Sequence, residues 1–236
     1  MDNFNTRRDV TGSDEGLRAF FQRMYTYMTI ALGVTAITGW IVEAFFLSAV
    51  NRLLAGNFIG LIVIIAAEFA IIYGIQRASA ENPGRAFGLM MLFSVIQGLF
   101  LGSILAVYTH ASVLSAFLST AAIFGSMAAY GYFTKRSLAG LGPILFGGLI
   151  ALIVASVLNI FIASSLWSFV VSLIAVVLFA LYTAYDNNQL KALYAQLSAE
   201  GQEDMTGLAI IGALTLYLDF INMFYALIRL TGDSNN

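Results

Sequence analysis

Seven apolar stretches, each 18 or more residues long, divide this 236-residue chain. In an α-helix a stretch of that length, at about 1.5 Å per residue, covers most or all of the roughly 30 Å hydrocarbon core of a bilayer. They run approximately Met24 to Phe46, Phe58 to Ile75, Phe87 to Tyr108, Val113 to Phe133, Ile144 to Ile162, Leu166 to Tyr185 and Leu208 to Leu230. In hydrocarbon each backbone N–H and C=O must find its partner inside the protein, and a helix satisfies them all within one segment. Composition agrees, with 60% hydrophobic and 10% charged residues against about 45–50% and 25% in soluble domains. The expected fold class is an all-α polytopic membrane protein, a seven-transmembrane-helix bundle. Residues 1–23 form a polar N-terminal segment, 24–230 the membrane domain and 231–236 a short tail.

The first 23 residues carry Arg7, Arg8, Arg18 and Arg23 and lack the apolar core and cleavage site of a signal peptide, so no removal is expected. Both prolines, Pro83 and Pro143, fall in connections, which leaves the spans unbroken. With a cytoplasmic N-terminus the inner side holds Arg7, Arg8, Arg18, Arg23, Arg77, Arg85, Lys135, Arg136 and Lys191, and the outer side only Arg52 and Arg229. This asymmetry predicts N-terminus inside and C-terminus extracytoplasmic, and the short tails and small loops suit a cell inner membrane. The connection from Asp186 to Gly207 is the longest, and Leu190, Leu193 and Leu197 recur in it at helical spacing, so the sixth helix is expected to run on past the apolar stretch or lie along the membrane surface. Its acidic tip, Glu200, Glu203 and Asp204, should be solvated.

Asp219 lies near the middle of the last span, where a lone acid costs about 2.5–3.5 kcal/mol on insertion scales. A second acid, Asp186, follows the preceding apolar stretch in LYTAYDNNQL. Thr215, Asp219 and Asn222 share one helical stripe, as do Tyr182, Asp186 and Gln189, and two polar stripes on consecutive helices are satisfied if they face each other. Two charged carboxylates about 4 Å apart repel by roughly 4 kcal/mol at an effective dielectric of 20, so such a pair holds one proton between them and releases it near neutral pH. By hydropathy alone the acids differ in depth, Asp186 standing at the cytoplasmic end of its span and Asp219 about 11 residues into its own. Glu68, mid-span on the second helix, either lines the same path or is held neutral by a hydrogen bond to Gln97 or a tyrosine. Arg77 serves either as a countercharge at the inner mouth or as a positive-inside anchor. Glu43, beside Trp40, reads as interfacial. Gly98 and Gly102 on the third helix, and Gly147 and Gly148 on the fifth, suit close helix approach.

Several functions are excluded or disfavoured. There is no Cys, hence no disulfide, thiolate metal site or cysteine nucleophile. Lys135 and Lys191 are expected in connections, so no span supplies a Schiff-base lysine. The single His110 is expected in a short outer connection, and neither HExxH nor a GxGD pattern occurs. No enzyme activity, no cofactor and no nucleic-acid partner are expected.

On the stretches LYTAYDNNQL and LYLDFINMF and the spacing between them, the chain resembles the Bax inhibitor family, the transmembrane Bax-inhibitor-motif proteins, and its short tails and loops fit a bacterial member. The resemblance implies a seven-helix fold with the last helix central and a pH-sensitive calcium leak controlled by two hydrogen-bonded aspartates, which fall on Asp186 and Asp219. These would be both proton sensor and metal ligands, with Asn222 and backbone carbonyls as further oxygens. A family arginine near the cytoplasmic end of the second helix matches Arg77 only after a register adjustment. The alternative is a regulatory protein that binds another membrane complex, such as a quality-control protease, through Asp2 to Arg23, with the acids serving helix packing.

Overall fold

The computed structural model describes residues 3–55 and 58–233, apart from the side chains of 3–14, 53–55, 58, 59, 61 and 160. Its helices are α1 (Asn3–Ile41), α2 (Leu47–Ala55), α3 (Phe58–Glu81), α4 (Pro83–Val107), α5 (His110–Phe133), α6 (Gly142–Ile162), α7 (Ser165–Ala199) and α8 (Thr206–Thr231). A π-turn, Val42–Phe46, joins α1 to α2, so the first membrane-length segment extends over Glu15–Arg52 rather than stopping at Phe46. Seven helical segments are long and apolar enough to cross a membrane, and no strand occurs among the described residues.

Local chemistry sets the helix ends. Asn82 caps α4, its side chain accepting from the Arg85 amide at 3.0 Å, while Pro83 occupies the first turn, where its missing N–H costs nothing. Thr109 caps α5 through Ser112 N at 3.2 Å, and Ser164 caps α7 through Trp167 N at 3.4 Å. Between α6 and α7, Ala163 adopts a left-handed conformation (φ 49°) that reverses the chain. At the other end of α7, Asp204 accepts from the Thr206 amide at 2.8 Å and opens α8; these Thr206 hydrogen bonds hold the exposed carboxyl below its ordinary range.

Helix α8 is the axis of the bundle. It packs against α1, α3, α4, α5 and α7, and 67% of its apolar window is buried in protein, against 6% for the segment containing α6. The last helix is therefore central, and α6 is a peripheral helix carried on α7, its Ile144, Phe146 and Ile150 turned outward. Close approach relies on small residues: a Cβ added at Gly98 would strike Thr38, one at Gly102 would strike Val42, and one at Gly131 would strike the Ala184 carbonyl. These three contacts set α4 against α1 and α5 against α7.

The sixth helix runs on past its apolar stretch, the first of the two courses that the leucine spacing allowed. Helix α7 does not stop at Tyr185 but continues 14 residues further, to Ala199, and Lys191 stands on this extension instead of in a connection. The polar run Asp186, Asn187, Asn188 interrupts apolarity without interrupting the helix, because its side chains find partners inside the protein.

Candidate functional site: an aspartate pair in a membrane cleft

The extension of α7 resolves the apparent mismatch in depth. Asp186 lies 13 residues before the end of α7 at Ala199, and Asp219 lies 13 residues after the start of α8 at Thr206. Equal distances from one tight connection place the two acids level on an antiparallel hairpin. Their carboxyls stand within hydrogen-bonding reach of each other. Asp219 is 5% exposed and Asp186 half-buried. No other donor reaches Asp219 Oδ2 among the described residues, so a hydrogen bond between the two acids requires a proton that the pair itself carries.

Two cavities meet at Asp186, and the larger of them also reaches Asp219. The larger, about 610 Å³, lies between α6, α7 and α8 and receives Tyr182, Asp186, Thr215, Asp219 and Asn222, with Arg229 at its far end. The smaller, about 340 Å³, continues along the extension of α7 and is lined by Asp186, Gln189, Gln196 and Thr215. Asp186 and Thr215 line both. The large cleft follows from the packing described above: α6 rests on α7 and leaves the flank of α8 open. Asn222 donates its amide nitrogen to Leu218 O at 2.8 Å, leaving its side-chain oxygen as the group for a ligand. Thr215 donates to Ile211 O at 3.1 Å and likewise retains acceptor capacity.

Three consecutive side chains on α7 fix the direction of Asp186. Successive residues on a helix point about 100° apart, so Asp186, Asn187 and Asn188 face three neighbours. Asn187, fully buried, accepts from Tyr25 OH of α1 at 2.5 Å and donates to Thr183 O at 2.7 Å. Asn188 accepts from Leu138 N at 2.9 Å and donates toward Arg136 O at 3.2 Å and Gly131 O at 3.4 Å. Sequence reasoning overlooked these two amides, although three polar residues in a row on a buried helix already demand three separate sets of partners.

The remaining site candidates lie elsewhere. Glu68 accepts from Gln97 Nε2 at 3.3 Å, one of the partners its sequence position suggested, and lines neither cavity. Arg77 faces Glu81 at 4.0 Å, both side chains 71% exposed, and is not at the cleft. Glu43 has a partner: Nε2 of His110, the first residue of α5 and not a connection residue, stands 3.1 Å from it. Among the described residues no group of three His, Cys, Asp or Glu is arranged to hold a metal ion, so any cation at the cleft has two carboxylates and neutral oxygens for ligands.

Residues 17–236 match the family described as Inhibitor of apoptosis-promoting Bax1. The inner membrane protein YbhL of Escherichia coli is 39% identical over 237 residues, 99% of each chain. A protein of Rickettsia prowazekii is 36% identical over 223 residues, 93% of this chain and 92% of its own. A membrane protein of Streptococcus pyogenes is 33% identical over 225 residues, 94% of this chain and 96% of its own. A match of this extent, on a bundle whose central last helix presents an aspartate to an aspartate on the preceding one, places the chain in the Bax inhibitor family.

Proposed function

We propose that the protein is a pH-sensitive calcium leak of the cell inner membrane, with Asp186 and Asp219 as cation site and proton sensor. The observation that carries this reading is the meeting of two cavities at Asp186, beside Asp219, whose Oδ2 receives no other donor among the described residues. A net negative pair in a low-dielectric bundle has two ways to be balanced, a bound proton or a bound cation. With the proton in place the carboxyls are joined and the two cavities are separated. When it leaves, two charges about 4 Å apart repel by roughly 4 kcal/mol at an effective dielectric of 20. That repulsion opens the pair and attracts a cation. Calcium takes 6–8 oxygen ligands; the carboxylates, the Asn222 amide oxygen and the Thr215 hydroxyl supply part of that shell and water the rest. Such incomplete coordination favours passage over retention. The inner-membrane assignment draws on the seven membrane-length segments and on the relative's name, and the orientation, N-terminus cytoplasmic and C-terminus extracytoplasmic, on the distribution of Lys and Arg.

The test is calcium flux through the purified protein in liposomes. The wild-type leak should rise with pH across about one to two units around neutrality, since deprotonation creates the charged, open pair. Asp219→Asn should abolish or lock this response, Asp186→Asn should shift its midpoint, and the double variant should show no transition. Unchanged pH dependence in both single variants would make the pair structural. The regulatory reading would then replace this one, and deleting residues 2–15 should abolish capture of a membrane partner.

A further inference from the structure

At the end of the bundle where α1 enters and α5 and α7 extend, three cations converge on a cavity that has no part in the aspartate site. The cavity, about 400 Å³, is lined by Arg18 of α1, Lys135 just beyond α5 and Lys191 of α7, together with Glu15, Tyr132 and Phe133. Among the described residues none of the three cations makes an ion pair, and with one carboxylate present the cavity keeps a net charge of about two positive units. Lys191 is held in place: its ammonium donates to Tyr132 O at 2.8 Å and lies 5.6 Å above that ring, which leaves two of its three N–H groups for a ligand.

A second cavity of about 600 Å³ adjoins the first and shares Arg18, Tyr132 and Phe133 with it. This one is a groove between α1 and α5, floored by Phe21, Phe124 and Ala128 and bordered by exposed Gly125. From Phe133 to Phe124 it descends nine residues of α5, about 14 Å along the helix axis. A basic cup at the membrane surface that opens into an apolar groove running toward mid-membrane has the two chemistries of one amphiphile. A free phosphate would use the cup and leave the groove empty.

We propose that this end of α1, α5 and α7 binds an anionic phospholipid, its phosphate held by Arg18, Lys135 and Lys191 and one acyl chain lying in the groove between α1 and α5. The guanidinium of Arg18 offers a planar fork to phosphate oxygens and the lysines act as point charges. Near a membrane surface each such cation contributes about 1 kcal/mol toward an anionic lipid, or roughly fivefold in affinity. Site and ligand are independent of the calcium reading.

The experiment is a titration of the purified full-length protein in detergent with phosphatidylglycerol, phosphatidylcholine and glycerol 3-phosphate, read by native mass spectrometry and melting temperature. Phosphatidylglycerol should remain bound and raise the melting temperature, and phosphatidylcholine should not. The double variant Arg18→Gln/Lys135→Gln alters two exposed side chains and should lower phosphatidylglycerol affinity about 25-fold, at fivefold per charge. Gly125→Leu fills the groove, because a Cβ at Gly125 meets open space, and should lower lipid affinity at least tenfold with every cation still present. Circular dichroism and elution volume like those of the wild type identify folded variants. Equal binding of phosphatidylcholine, or wild-type affinity in the charge variant, overturns the proposal. So does glycerol 3-phosphate that competes as well as the lipid while Gly125→Leu has no effect, which would make the cup a site for free phosphate.

Discussion

Tyr217 and Asp219 stand two residues apart on α8, about 200° around its axis, and the two sides of the helix use buried polarity in opposite ways. On the α1 and α4 side, the Tyr217 hydroxyl lies 2.6 Å from Thr35 Oγ1, which in turn reaches Ser94 O at 3.0 Å, and Ser94 donates to Met90 O at 2.9 Å. All three residues are 0–1% exposed. Further along the same side, Tyr225 donates to Gln97 O at 3.4 Å and Gln97 to Glu68 at 3.3 Å. On the α7 side, Asp219 Oδ2 receives no donor among the described residues other than what Asp186 brings, and a cleft of about 610 Å³ opens beside it. Burial is common to both sides. What separates a packing cluster from a site is an unmatched acceptor next to accessible space.

The largest effect should come from the packed side. Tyr217→Ala removes a fully buried aromatic ring that meets Phe93 edge-on at 6.0 Å, and such truncations cost about 3–5 kcal/mol. Tyr217→Phe keeps the ring and loses one hydrogen bond, about 0.6–1.7 kcal/mol between membrane helices. Reversible denaturation of the purified protein should show both losses, and the pH dependence of flux in the folded Phe variant should match the wild type. On the cleft side Asp219→Asn should give the reverse pattern, with little loss of stability and no pH response. A Phe variant that loses the pH response would break the division of α8 into two sides.

Asn187 links the two kinds of region, since it is a satisfied amide directly beside Asp186. Asn187→Leu leaves the half-buried Tyr25 hydroxyl without the acceptor it has at 2.5 Å, a loss of about 1 kcal/mol. It also releases the constraint that fixes the rotation of α7, so the pH midpoint of the leak should move. Tyr25→Phe removes the same hydrogen bond from the other side and leaves the oxygen of the fully buried Asn187 without its donor, a loss of about 1–3 kcal/mol. A midpoint that stays fixed in both variants would show that the amide serves stability alone.

The same residues show what was legible in the sequence. Hydropathy located all seven spans because lipid-facing apolarity is a property of each segment by itself. The acids were recognisable as a pair from the stretches around them. Their common depth was hidden because a hydropathy window ends at Asp186, Asn187 and Asn188, where lipid compatibility ends, whereas the helix persists to Ala199 on partners that only the fold supplies. The equal spacing was nonetheless present: once Glu200 to Met205 is taken as the turn, 13 residues on either side reach the two acids. Glu68 was undecided for a different reason. Which neighbour an isolated acid meets depends on helix rotation, and the span's nearly uniform apolarity gives no direction.

The smallest effect belongs to Arg77, and it tests how far the cleft extends. If this arginine gated the pair, replacing it would shift the pH response of the leak as strongly as changing an aspartate. In the structure its guanidinium lies 4.0 Å from Glu81 one turn along α3, with both side chains 71% exposed. A charge pair so open to solvent is screened by water and salt and contributes about 0–0.5 kcal/mol. It lines neither cavity that meets at Asp186. Arg77→Gln should therefore leave the denaturation midpoint within about 0.5 kcal/mol of wild type and the pH midpoint of calcium flux unchanged. The informative control is Glu81→Gln, which removes the same pair from the other side and should behave identically. A pH midpoint that moves in Arg77→Gln but not in Glu81→Gln would mean that the guanidinium acts on the aspartates in a conformation other than this one, and the boundary between structural and functional polarity would have to be redrawn to include α3.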